Sequence, residues 1–372
     1  MSLRILHLID PAAGEGPLLA CAAALRIPGF DHTVWTIGPR AAARRAAAAG
    51  VPSHHTLPAP ARRPTLAWPA ARALAADLRR AGATPDVIHC WSFSTLTLAR
   101  LAFGPRLPKM VFACSDPADI PRWSRPQLAD GPLLVTTRRT TWRRWIADVS
   151  LDARHLPLPI PTPLTAPSAR DDLRAAVGIA PGEHALLIAL LADPPRAADA
   201  RAFSFMLGLL HLAGARVIGV VPRGVGQGRR GARFVRAHGR RWGLVEWDGP
   251  MSVLAPATDL AMWSPPNDSG LVAAAYAGAG IPIVVHDPDA AAALTQRGAQ
   301  VLFSLGPSVP QIAAALLPIA QSLAAEPRTP TPLPAHTPEQ TGAAEYRTLL
   351  ADLWADAARR WIPTAATGAV AR

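Results

Sequence analysis

The chain has 372 residues, half of them apolar, and a formal charge of +12. That length holds two ordinary domains, each with its own core. The sequence contains no run of 18 apolar residues and no CxxC pair, which argues against a membrane-spanning helix and against a zinc or dithiol redox site. Lys109 is the only lysine, so the positive charge is almost entirely arginine. A guanidinium presents a planar fork of donors that suits phosphate or carboxylate. The charge therefore favours anionic partners, although a general preference for Arg over Lys explains the same count.

In chain order, Ile5 to Ile9 reads as a strand, Pro11 to Gly16 as a loop and Leu18 to Leu25 as a small-residue helix. A strand at Thr33 to Ile37 is followed by helices at Arg40 to Ala49 and Trp68 to Ala81, each closed by a glycine. A strand at Asp86 to Trp91, a helix at Ser94 to Ala102, and strands at Lys109 to Cys114 and Leu133 to Thr137 complete the first half. Four prolines at alternate positions, Pro157, Pro159, Pro161 and Pro163, cannot sit inside a central strand or a helix. They read as a rigid crossing between units, or as an edge strand running into a loop.

The alternation then restarts. Helices are expected at Asp171 to Val177, Arg201 to Leu212, Leu271 to Ala279, Ala290 to Thr295 and Pro310 to Ala324. Strands are expected at Ala185 to Leu191, Arg216 to Val221, Leu260 to Trp263 and Ile283 to Val285. Residues 224–241 are rich in Gly and Arg, residues 328–338 in Pro and Thr, and Glu345 to Trp361 forms a last amphipathic helix. Short strands alternating with helices predict α/β units with parallel sheets covered on both faces. Open parallel sheets bind ligands at the C-terminal ends of their strands. Two such units facing each other enclose a cleft.

The segment from Asn267 to Pro282 carries the strongest local pattern. With the order of elements, it resembles the GT-B glycosyltransferases of family 4, over roughly residues 3 to 360. Those enzymes transfer a sugar from a nucleotide sugar with retention, between two Rossmann-like domains. The family commonly reads E-G-F-G-L-V-x-x-E-A-x-A-x-G-x-P here. This chain keeps Gly270, Leu271, Val272, Gly280 and Pro282, but has Asn267 and Ala275 in place of the two glutamates, and Tyr276 and Gly278 in place of the motif alanines. The resemblance implies that the first carboxylate contacts the donor sugar and the second holds the ribose hydroxyls. Asn267 still donates and accepts hydrogen bonds, whereas Ala275 does neither. Asp268 and Ser269 lie beside the motif, Asp268 offering a charge one position over. Amides at the Gly270 turn suit a diphosphate.

Other positions follow the resemblance more loosely. Gly14 and Gly16 match the glycine-rich loop after the first strand, where backbone amides approach an anion. The pattern D-V-V-H-x-H falls on Asp86 to Trp91, so His89 keeps the first histidine and Trp91 replaces the second. Trp91 offers a stacking face but no imidazole. Asp116 follows the next strand; it is a candidate polar ligand or a turn cap. Arg196 and Arg201 have the five-residue spacing of the family's Arg/Lys pair, which neutralises the leaving diphosphate; surface charge at a helix start is the plain alternative. Asp259 is expected as a structural cap.

The implied architecture is a GT-B fold with two Rossmann-like domains facing a cleft. Residues 1–158 would form the acceptor domain and residues 164–340 the donor domain. A helix at 341–361 would pack back on the first domain, leaving a disordered tail at 362–372. The implied activity is retaining transfer from a nucleotide-diphosphate sugar, as co-substrate, to an acceptor that the sequence does not identify (a glycan, a lipid-linked or a small molecule). No other cofactor and no metal is required. A catalytically degenerate binding or interaction module is the alternative, and an epimerase of the same shape a third. No GxGxxG follows the first strand, which disfavours a dehydrogenase. The basic run from Arg229 to Arg241 has Phe234 within it and Trp242 beside it, fewer aromatics than a nucleic-acid platform calls for, so nucleic acid is not the expected partner; the same run suits anionic headgroups. No signal-peptide pattern opens the chain, so the expected location is cytoplasmic, with peripheral contact at the inner membrane surface.

Overall fold

The computed structural model describes residues 2–11, 14–57, 64–80, 85–103, 109–113, 133–137, 142–143, 153–156, 169–191, 197–223, 243–263, 270–285, 287–296, 299–303, 308–325 and 343–359. The N-terminal half contains β1 (Leu3–Ile9), α1 (Gly16–Ala24), β2 (Phe30–Ile37), α2 (Arg40–Ala48), β3 (His55–Leu57), α3 (Pro64–Arg80), β4 (Val87–Cys90), α4 (Phe93–Phe103), β5 (Lys109–Ala113), β6 (Leu133–Thr136) and β7 (Ala153–His155). Its sheet has the order β3-β2-β1-β4-β5-β6-β7, parallel throughout.

The C-terminal half contains α5 (Arg170–Ala176), β8 (Leu186–Leu191), α6 (Ala197–Leu212), β9 (Val217–Pro222), β10 (Leu244–Trp247), a 3-10 helix (Met251–Ala257), β11 (Leu260–Trp263), α7 (Leu271–Gly278), β12 (Ile283–Val285), α8 (Pro288–Thr295), β13 (Val301–Phe303) and α9 (Val309–Ala325). Its sheet is also parallel, with the order β10-β9-β8-β11-β12-β13. A terminal helix, α10 (Ala343–Arg359), follows. The four-proline crossing lies outside the described residues apart from its first residue, Leu156.

Burial explains the strand composition. Every residue of β8, Leu-Leu-Ile-Ala-Leu-Leu, is buried, because helices cover both faces of the sheet. In β1 the faces alternate. Ile5 and Ile9 join the cluster containing α1, while Leu6 and Leu8 join the cluster containing α3 and α4. The first of these clusters continues from Leu18 and Leu19 through Met251, Leu254 and Tyr276 into the C-terminal half. The two halves thus share packed apolar surface.

At its other end, α10 packs against the first half. The Trp354 indole N–H is donated to His89 Nδ1 at 3.3 Å. His7, His32 and His89 sit beneath it. Their bonds fix the tautomers. His32 Nε2 donates to the Ile27 carbonyl at 3.2 Å, so its Nδ1 accepts from His7 Nε2 at 3.0 Å. His7 Nδ1 in turn accepts from the Trp91 indole at 3.2 Å. Burial holds all three imidazoles below their ordinary range, His89 down to about 3.

A third structural centre ties the starts of β8 and β11. Asp259 Oδ2 accepts from Leu187 N–H at 2.8 Å and from Arg174 Nη1 at 2.9 Å, while Arg170 Nη2 bonds its other oxygen. Asp259 therefore lies at the strand ends opposite the cleft, as a structural anchor.

Candidate functional site

The strand orders locate the two crevices. In the first sheet the chain runs outward from β1 to β2 and β3, then returns to β4 on the other side of β1. In the second it runs from β8 to β9 and β10, then returns to β11 beside β8. Ligands of open α/β sheets bind at such reversals, beyond the strands' C-terminal ends. The first reversal opens between the starts of α1 and α4. The second opens between the starts of α6 and α7.

At the first crevice, Gly14 has φ 136° and precedes Glu15, the N-cap residue of α1, and Gly16, its first residue. The positive φ is available to glycine at little cost. Asp10, 5 % exposed, lies at the end of β1. Its Oδ2 accepts from the Ser94 hydroxyl at 3.0 Å, and Ser92 and Ser94 hydroxyls are 2.8 Å apart. A carboxylate and two hydroxyls thus meet at the start of α4. That set can bind hydroxyl groups.

Trp91 departs from its expected role. Its indole is 3 % exposed and stacks on His89 with ring centroids 3.8 Å apart. Trp91 lies two residues beyond His89, hence on the same face, which α10 covers. Its ring is committed to the core and presents no free stacking surface. His89 is likewise buried beneath Trp354.

At the second crevice, Gly270 is the N-cap of α7, in the left-handed region with φ 78°. The Leu271 and Val272 side chains are buried, so among the described residues this turn offers a ligand its backbone. The N-terminus of a helix favours an anion through its dipole. Gly270→Ala places a Cβ in the left-handed region, which costs about 1–2 kcal/mol; a lower denaturation midpoint is the expected result. Ala275 is buried at 4 % exposure and carries no polar group. The neighbouring Tyr276 donates its hydroxyl to the Met251 carbonyl at 2.8 Å, and burial pushes its phenol pKa up. Tyr276 therefore braces the segment after β10.

Arg201 lies in the second turn of α6, whose start follows β8, but its side chain is outside the described residues. Arg196, Asp116, Asn267, Asp268 and Ser269 also lie outside them, as does the basic run 229–241. By sequence, Arg196 immediately precedes α6, and residues 267–269 immediately precede Gly270. Among the described residues, no group of three or more His, Cys, Asp or Glu side chains is gathered as a metal ion would require. No helix among them is long and apolar enough to cross a membrane.

Two features of the crevices carry little mark in the sequence. One is the pairing of Asp10 with Ser94; the polar S-F-S-T run after β4 is its only signal. The other is Glu15, which stands between two glycines. Its carboxylate reaches the C-terminal half, accepting from Met251 N–H at 2.6 Å and from Ser252 N–H at 2.9 Å.

No protein-family model matches the chain. No curated protein matches it either. Solved structures do. Anabaena HepE in complex with UDP and glucose is similar over 96 % of this chain and 98 % of that one, with TM-score 0.59 and 13 % identity. WaaG, a glycosyltransferase involved in lipopolysaccharide biosynthesis, is similar over 97 % and 100 %, with TM-score 0.56 and 16 % identity. The UDP-GlcNAc 2-epimerase of Neisseria meningitidis, bound to UDP-GlcNAc, is similar over 95 % and 100 %, with TM-score 0.56 and 10 % identity. The chain has the GT-B architecture: two Rossmann-like parallel sheets facing a cleft.

Proposed function

We propose that this chain binds a nucleotide-diphosphate sugar between its two halves and transfers the sugar, with retention, to an acceptor entering from the N-terminal half. One observation carries the reading. The reversal points of both sheets open at the cleft, and α7 begins there on a left-handed glycine whose motif side chains are buried. That is a backbone site for an anion, matched to the diphosphate. Structures of the same architecture hold UDP, UDP-glucose or UDP-GlcNAc, which supports the substrate class. Arg196 and Arg201, around the start of α6, supply fixed cations to the leaving diphosphate. Asn267 hydrogen-bonds the donor sugar. Asp10 and Ser94 receive an acceptor hydroxyl.

Ala275 favours a second reading, a degenerate protein that binds the nucleotide sugar without turning it over. Its methyl group cannot hold a ribose diol. Losing that charge-assisted hydrogen bond forfeits about 1.5–3 kcal/mol, or roughly tenfold or more in affinity.

Calorimetric titration with UDP-, GDP- and ADP-sugars tests the binding claim. Saturable binding of one donor is expected, with loss of at least about tenfold in an R196A/R201A double variant. Folded protein that binds none of them at millimolar concentration would refute it. Release of free nucleotide from the bound donor, with or without acceptor, separates the transferase from the degenerate module.

A further inference from the structure

Glu15 belongs to the N-terminal half, yet its carboxylate bonds the C-terminal half. The partners, Met251 and Ser252, are 236 and 237 residues away in sequence. Glu15 follows the end of β1, and Met251 follows the end of β10. Both are C-terminal strand ends, so the contact spans the cleft side of the molecule.

Each end is braced. On the first side, Glu15 is the N-cap residue of α1, Pro17 stiffens the helix start, and the Glu15 carbonyl accepts from Leu19 N–H at 3.0 Å. On the second, the Met251 carbonyl holds the Tyr276 hydroxyl at 2.8 Å, and the Pro250 carbonyl holds the Trp247 indole at 3.1 Å. Met251 itself is 4 % exposed. Beside the packed apolar surface that the halves share, the Glu15 side chain is a polar link between these two braced ends. Two N–H groups on one ionised carboxylate make a charge-assisted, bidentate connection. In this contact the N-terminal half supplies the charge; the receiving groups are backbone amides, which no substitution in the C-terminal half short of proline removes.

We propose that Glu15 is an interdomain latch: it holds the two halves closed across the cleft before a ligand arrives, and its release opens the cleft. A ligand that needs the closed form then meets a protein already arranged for it. The latch rests on geometry alone. Its effect on a nucleotide sugar rests on the function proposed above.

Small-angle scattering of the ligand-free full chain tests it, comparing wild type with Glu15→Ala and Glu15→Gln. The expected result is a larger radius of gyration and a longer maximum dimension in E15A. E15Q should fall between the two, because its amide keeps one acceptor oxygen and loses the charge. Superimposable scattering from all three proteins would overturn the latch. If E15A does not fold, E15Q alone decides in the same terms. The same proteins are then titrated with UDP-glucose. Affinity about tenfold weaker in E15A is expected; equal affinity in wild type and E15A would overturn the claim that the latch prepares the cleft for its ligand. Absence of binding to all three would count against the proposed function, and the scattering comparison would then decide the latch by itself.

Discussion

Replacing Asp259 with alanine is expected to destabilise the protein by about 3–5 kcal/mol, the usual cost of breaking one side of a buried ion pair. Asp259 is 8 % exposed, and the Arg170 and Arg174 side chains are 19 % and 13 % exposed. Removing the carboxylate strands two guanidiniums and the Leu187 amide at once. The arginines cannot simply swing into solvent, because they also donate to the carbonyls of Pro256, Ala257 and Ala185. These bonds join α5, the 3-10 helix, β8 and β11, so the loss spreads through the C-terminal half. Urea denaturation measures it. A change below about 1 kcal/mol would place the triad among solvent-screened pairs and contradict a buried anchor. Because Asp259 lies at the strand ends away from the cleft, folded variant protein should retain ligand affinity.

Trp354→Ala is expected to cost a similar amount, about 3–5 kcal/mol. Trp354 is fully buried, and its ring packs against Phe30, His7, His32 and His89. The substitution leaves a cavity under α10 and leaves His89 Nδ1 without its donor. The same cluster sets a pH dependence. His7, His32 and His89 are held below the ordinary histidine range, chiefly by burial. A histidine whose folded pKa is lowered stabilises the fold above its unfolded value of about 6.5 and withdraws that stability as pH falls below it. Each such group contributes a slope of up to about 1.4 kcal/mol per pH unit. Unfolding free energy should therefore fall steadily from pH 6.5 towards 4, with His89 titrating at about 3 in the folded state. A flat profile over that range would show that the imidazoles are solvated rather than buried beneath Trp354.

Much of the fold is legible in the sequence because burial on both faces writes itself as apolar runs. The six apolar residues of β8 are the clearest case. Strands β3, β7 and β13 have three residues each and carry no period to detect. Strand β10 escapes sequence reading for another reason. It lies at the sheet edge, where Glu246 is exposed and the other three residues are only half-buried. Helix α3 starts at Pro64 rather than Trp68 and runs through Pro69; Ala70, Ala71, Leu74 and Leu78 bury one continuous face of it.

The site divides along a similar line. The Gly270 turn is readable, since a left-handed cap before a helix calls for glycine. Trp91 reads as a sugar platform in sequence because its partners, His7 and His89, come together only through the register of β1 and β4. The Glu15 contact has no readable signal at its far end. Backbone amides look alike in any sequence, and only the docking of the two halves selects Met251 and Ser252.

A crystal structure of the protein with UDP-glucose tests the central claim most directly. The diphosphate is expected at the Gly270 turn, between the starts of α6 and α7, within reach of Arg196 and Arg201. Nucleotide bound away from that crevice, with the Gly270 turn facing only solvent, would contradict the claim.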